Sequence, residues 1–265
     1  MENKKKISIW EDKIPYSKGN SEEDIPKLTP YLIENKKNNP CIIVFPGGGY
    51  SVRAPHEKEP IALWLNRIGI SAFVLDYRVS PYRYPVPFLD AQRSIRFVRY
   101  NAEKFNIDPN RIGIIGFSAG GHLASLTGVH FDYGKKENDP IEKISLRPDL
   151  LILCYPVISF LNYSHQGCIK NFLGENIDKE ILEFLSSEKQ VKKDTPPCFI
   201  WHTQNDDVVP VQHSILFALS LKEKNIDFEL HIFEKGLHGL GLAENDFSVS
   251  YWTILCEKWL RKHNF

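Results

Sequence analysis

The sequence predicts an α/β fold with a mostly parallel central sheet and helices on both of its faces. Three observations predict it. Short apolar, β-branched runs alternate with longer segments of helical period along the chain. The runs lack polar alternation, as strands buried on both faces do. Glycine and proline punctuate the junctions between runs and helices.

The first 35 residues are expected to add two strands at the sheet edge, at 7–10 and 29–33. Cys41–Phe45 is an unbroken apolar run that stops at Pro46 and three glycines. Residues 57–68 read as a helix with Ile61, Leu63, Trp64, Leu65 and Ile68 as its buried stripe, ended by Gly69. Ile70–Leu75 is the next strand. Residues 90–105 are the next helix, with Ala91, Ile95, Phe97, Val98 and Phe105 on the apolar side. The strand Ile112–Phe117 runs directly into a helix over 119–129. Further strands are expected at 150–155, 197–202 and 228–233, and helices at 211–224 and 248–262. Residues 156–196 interrupt the alternation, with a helical piece near 178–185 and the stop Thr195-Pro196-Pro197. They are expected to form a cap-like insertion over the C-terminal sheet edge, within one domain spanning 1–265.

Composition narrows the function. The 265 residues carry 33 basic and 33 acidic side chains, so the formal net charge is zero. A nucleic-acid partner calls for a basic surplus, so none is expected. No stretch reaches the roughly 20 apolar residues of a membrane span, and no apolar region follows the basic start as in a secretory signal. No membrane partner is expected. Five cysteines (41, 154, 168, 198, 256) contain no C-x-x-C pair. Those at 41, 154 and 198 lie in strand-like runs and read as buried hydrophobes of a reducing, cytoplasmic compartment. There is no H-E-x-x-H and no Cys/His cluster of zinc spacing, so neither metal nor cofactor is expected.

Gly116-Phe117-Ser118-Ala119-Gly120 fits G-x-S-x-G between a strand and a helix, the setting of a nucleophile elbow. Such a turn lifts the serine hydroxyl above the sheet edge at a helix N-terminus, where negative charge is favoured. The alternative is a Gly/Ser-rich cap on an ordinary turn. A serine nucleophile needs a base, and the base an orienting carboxylate. His238, in a glycine-flanked loop after the last strand, is the candidate base. His122 and His202 are expected to be structural, and His56, His130, His165, His213, His231 and His263 to lie at the surface. Asp206, in the loop after the strand at 197–202, is the candidate carboxylate, with Asp207 as the alternative. The chain order Ser118, Asp206, His238 is that of a hydrolase triad. Gly47-Gly48-Gly49 follows the strand 41–45, and a glycine run can aim backbone N–H groups at one spot. Gly48, Gly49 and Ala119 are the candidate oxyanion donors. The run lacks the G-K-[ST] ending of a phosphate cradle.

On these residues the chain resembles the α/β-hydrolases of the acetyl esterase and hormone-sensitive-lipase-like group. More narrowly it resembles small bacterial acetylxylan-esterase-like proteins, the sugar esterases. The resemblance runs from about residue 40 onward. It is carried by Pro46–Tyr50, Tyr84–Arg93, Asp108–Gly113 leading into Gly116–His122, then Asp206–Pro210 and His238. It implies an α/β-hydrolase fold and a serine carboxylesterase for short acyl esters, acetyl foremost, with an acetylated carbohydrate as a candidate small-molecule substrate. The chain departs from the wider group at Pro46, where those proteins carry histidine; the N–H donors are unaffected. A peptidase, an arylformamidase or a non-catalytic binding protein shares enough of these features to stay open, as does homo-oligomerisation. Phe160, Tyr163, Phe172 and Phe184 either line an acyl or sugar pocket or pack the insertion onto the core.

Overall fold

The computed structural model describes residues 5–11, 13–34, 37–175 and 177–265. Among them, eight strands form one sheet: β1 (Ile7–Ser8), β2 (Lys27–Tyr31), β3 (Asn39–Phe45), β4 (Ser71–Asp76), β5 (Ile107–Phe117), β6 (Leu151–Cys154), β7 (Cys198–Thr203) and β8 (Phe228–Phe233). Their order is β1-β2-β4-β3-β5-β6-β7-β8. β2 runs antiparallel to both β1 and β4, and every other pair is parallel. This is the expected α/β architecture.

The strand period of two divides the core into two layers. Ile43, Phe45, Ile114, Leu153 and Ile200 face one side. There they meet α2 (Val86–Tyr100), α3 (Ala119–Val129) and α6 (Gln212–Glu223). Ile42, Val44, Ile115, Phe117, Phe199 and Trp201 face the other, against α1 (Glu59–Arg67) and α7 (Trp252–Lys262). All residues of α3 are buried, as its nearly all-round small and apolar sequence requires.

Several boundaries differ from expectation for identifiable reasons. α2 starts four residues early, because prolines in a first turn give up no needed hydrogen bond. β5 starts early because Ile107 pairs with Asn39 before a register shift. In α1, Ala62 takes the buried position assigned to Leu63, which is 41% exposed. At 100° per residue Leu63 falls opposite Ile61, Trp64 and Leu65. Between β6 and β7 run α4 (Gln166–Leu173) and α5 (Lys179–Phe184). α4 was not expected. His165 caps it by accepting from the Cys168 N–H, and Cys168, Ile169 and Phe172 form its buried side.

Candidate active site

Ser118 stands between β5 and α3 with φ 53° and ψ −117°, a conformation that side chains rarely adopt. Two glycines make the turn feasible. A Cβ on Gly120 would lie 2.1 Å from the Phe45 carbonyl oxygen, and one on Gly116 would lie 2.2 Å from that of Gly120. The Ser118 N–H donates to Cys154 O at 3.0 Å, and its carbonyl accepts from Val157 N at 3.1 Å. The turn is thereby tied to the end of β6, and the hydroxyl is left free to face the cavity.

The loops after β7 and β8 bring the other two groups to that hydroxyl. Ser118 Oγ is 2.8 Å from His238 Nε2, and His238 Nδ1 is 2.7 Å from Asp206 Oδ2. The order proposed from the sequence is thus one continuous hydrogen-bonded chain. Asp206 is buried and Asp207 is exposed, which separates the two acids. Asp206 Oδ1 accepts from the N–H groups of Val208 and Val209 at 3.0 and 2.9 Å. His202 Nε2 lies 3.3 Å from Asp206 Oδ2. Burial pushes the Asp206 carboxyl up, but hydrogen bonds from His202, His238 and Val209 outweigh it and hold the group well below the usual carboxylate range. His202 is the buried, hydrogen-bonded histidine expected, anchored to Ser214 Oγ and the Val209 carbonyl at 2.8 Å each.

The glycine turn after β3 completes one wall. Gly48 has φ 125° and Gly49 φ 60°. A Cβ on Gly48 would meet the Val52 carbonyl oxygen at 2.4 Å, so glycine is required there. The turn is held from several sides. Gly47 N donates to Glu57, and Asn171 of α4 donates to the Gly49 carbonyl at 2.8 Å. Buried Tyr50 bonds His122 Nδ1 at 2.7 Å and stacks on Phe172. His122 Nε2 lies 2.8 Å from the Leu185 carbonyl. Burial lowers His122 to about 4, so the ring is neutral. Its expected structural part is therefore support of this turn. Among the described residues, no protein acceptor engages the N–H of Gly48, Gly49 or Ala119.

These groups border a cavity of about 220 Å3. Ser118, His238, Gly48 and Gly49 line it together with Val157, His165 and Cys168. A larger cleft of about 490 Å3, walled by Arg53, Tyr82 and Asp24, holds none of the Ser118 group. The four insertion aromatics are absent from the cavity wall. Phe160 and Phe172 pack in the core against His122, while Tyr163 and Phe184 are exposed. The packing alternative holds for Phe160 and Phe172, while exposed Tyr163 and Phe184 are not core residues.

Three further residues join the site or its support. His56 and His165 line the cavity, and neither was singled out from the sequence. His213 is fully buried, contrary to its expected surface position. Its Nδ1 accepts from Ile158 and Ser159 at 3.0 Å each, which fixes the chain just past β6. The N-cap position of His165 before an apolar i, i+1, i+4 pattern was a readable signal; the burial of His213 had none. Among the described residues no group of three or more His, Cys, Asp or Glu side chains is disposed to hold a metal ion.

Residues 29–221 match the BD-FAE family model. The chain belongs to the BD-FAE family. Among its relatives, endo-1,4-beta-xylanase B of Butyrivibrio fibrisolvens is 43% identical over 250 residues, covering 93% of this chain and 39% of that protein. The acetylxylan esterase of Xylanibacter ruminicola is 34% identical over 229 residues, covering 84% of this chain and 45% of that one. The BD-FAE chain described here therefore spans less than half the length of either relative. Of solved structures, the acetyl ester-xyloside bifunctional hydrolase from Caldicellulosiruptor lactoaceticus superposes with a TM-score of 0.96 at 55% identity, covering 99% of this chain and 97% of that one. The propionate-bound thermophilic esterase Est2 from Thermogutta terrifontis follows at a TM-score of 0.77 and 27% identity, with 91% and 90% coverage. The fold is that of the α/β-hydrolases.

Proposed function

We propose that this protein is a serine carboxylesterase that removes short acyl groups, acetyl foremost, from acetylated sugars such as xylo-oligosaccharides. The observation that carries the reading is the chain Ser118–His238–Asp206, with links of 2.8 and 2.7 Å, facing a turn with unengaged N–H groups. His238 Nε2 takes the Ser118 proton as Oγ attacks the ester carbonyl. Asp206, held ionised by its hydrogen bonds, fixes the imidazole tautomer and stabilises the imidazolium. The N–H groups of Gly48, Gly49 and Ala119 receive the oxyanion. The alkoxide of the sugar leaves with the proton from His238. A water, deprotonated by the same imidazole, then frees the acid and restores Ser118.

Two observations support the substrate. The cavity, about 220 Å3, counts buried Cys168 and apolar Val157 among its lining residues, and its size suits a short acyl group. The acetylxylan esterase and the acetyl ester-xyloside hydrolase among its relatives point to an acetylated carbohydrate. The reading takes 1–265 as one domain with 156–196 as its cap, uses no cofactor, and takes the five buried free thiols as fitting a cytoplasmic setting. Initial rates on p-nitrophenyl esters from acetyl to octanoyl, and acetate release from acetylated xylo-oligosaccharides, test it. Rates are expected to peak at acetyl, extend to the sugar, and fall about 1,000-fold or more in Ser118→Ala. A peak at long chains, or an unaffected mutant, contradicts it.

A further inference from the structure

Glu57 ends a short 3-10 turn before α1, is 2% exposed, and belongs to neither the Ser118–His238–Asp206 chain nor the oxyanion donors. A buried carboxylate is costly unless its oxygens are engaged. Both are. Oε2 accepts the Gly47 N–H at 2.7 Å, at the root of the glycine turn. Oε1 accepts the Tyr155 hydroxyl at 2.6 Å. That hydroxyl in turn accepts the Gly241 N–H at 2.9 Å, three residues past His238. The Tyr155 ring meets the His238 ring edge-on, with centroids 5.0 Å apart. The neighbouring His56 places Nε2 2.8 Å from the Gly239 carbonyl and 3.5 Å from Glu57 Oε1. Tyr155 itself holds φ 37°, a strained value for an aromatic residue, which persists where the surroundings over-determine it.

We infer that Glu57 is a positioning residue that clamps the oxyanion turn to the loop carrying His238, setting the distance between the proton acceptor and the oxyanion donors. The inference rests on the esterase reading above. It explains why a carboxylate stands here. Two donors converge on the group, and an ionised carboxylate is an acceptor only. A glutamine would present its NH2 to the Gly47 N–H in one orientation and to the Tyr155 hydroxyl in the other. The first sets donor against donor. The second turns the NH2 toward the phenol oxygen, so the tyrosine O–H loses the carboxylate oxygen that accepts it. Either way a contact between the two loops is lost or weakened. The turn and the histidine loop come from distant parts of the chain, after β3 and after β8, and Glu57 with Tyr155 joins them at a single point.

The test uses the full chain with Glu57→Gln, Tyr155→Phe and the double variant. Steady-state rates on p-nitrophenyl acetate and amide hydrogen exchange of peptides covering 46–50 and 239–241 are measured together. Glu57→Gln is expected to lower kcat about tenfold or more with KM within about twofold, because the contact acts on transition-state geometry and not on substrate affinity. Exchange is expected to quicken in both loops. Tyr155→Phe is expected to give a smaller loss in the same direction, and the double variant to be no worse than Glu57→Gln, since the two act through one contact. Wild-type kcat in folded Glu57→Gln overturns the clamp, as do unchanged exchange in either loop or losses that multiply in the double variant. If Glu57→Gln does not fold, Tyr155→Phe decides alone: unchanged kcat and unchanged exchange overturn the inference. A wild type that turns over no ester contradicts the esterase reading instead. The exchange data still decide the clamp in that case, because they need no turnover.

Discussion

The turn at Ser118 and the segment between β6 and β7 border the same cavity but are fixed in different ways. The turn is shaped mainly by its own sequence. Gly116 and Gly120 leave space for it and the strand and helix on either side hold it, while two backbone bonds, to Cys154 and from Val157, tie it to the end of β6. The segment is fixed by distant partners. Asn171 reaches the Gly49 carbonyl, His213 on α6 holds the backbone at 158–159, and Leu185 receives His122. The difference teaches where each property of the site resides. On the esterase reading, the reacting groups sit on strand-end turns, and Val157, His165 and Cys168 of the segment between β6 and β7 border the acyl space, with a few long-range hydrogen bonds holding that segment.

The largest expected effects break the reactive side. Asp206→Asn disturbs the imidazole tautomer and is expected to lower kcat about 1,000-fold or more, whereas exposed Asp207→Asn should stay within about twofold. Comparable losses in both would dissolve the distinction drawn from their burial. Gly120→Ala drives a methyl into the Phe45 carbonyl and is expected to cost about 3 kcal/mol or more by denaturant unfolding. Wild-type stability there would mean the turn has slack that its geometry denies.

Smaller effects sharpen the inserted side. Cys168→Gly removes a side chain from the cavity wall and should raise butyrate over acetate in kcat/KM by about tenfold or less, given what one or two methylenes are worth. An unchanged ratio of p-nitrophenyl ester rates would place the acyl group elsewhere. The segment's histidine anchor also carries a pH signature. Burial lowers His213 and His122 from 6.5 to about 4. The fold therefore favours the neutral ring, and the unfolded chain takes up the proton first as pH falls. The stability is present above pH 6.5 and is lost progressively between there and about 4, by up to about 3 kcal/mol per histidine. Melting temperature should fall over that window in wild type and fall less steeply in His213→Gln. Equal slopes would contradict the buried-neutral assignment.

The same division governs what the sequence revealed. The covered parallel sheet was legible because its strands are apolar without alternation, as in Cys41–Phe45, and α3 and β8 were expected within their observed bounds. Ser118, His238 and Asp206 were legible because each occupies a strand-end loop with a recognisable neighbour. The choice of Asp206 over Asp207 needed burial, which adjacent positions do not encode. Glu57, His213 and Asn171 carried no local signal. Glu57 reads as a charged residue in a polar stretch, His-Glu-Lys-Glu, and only the folded chain brings Gly47 and Tyr155 to its two oxygens. The missed helix α4 is a different case: its cap and apolar spacing were present, but Gly167 and the short length hid them.

The measurement closest to the central claim is covalent trapping of the nucleophile. The full chain is treated with a fluorophosphonate, with and without a competing acetyl ester, and digested for peptide mass mapping. One modified residue is expected, Ser118, with labelling slowed by the ester and abolished in His238→Ala. Labelling at another residue, or none in a protein that still hydrolyses acetyl esters, would contradict it.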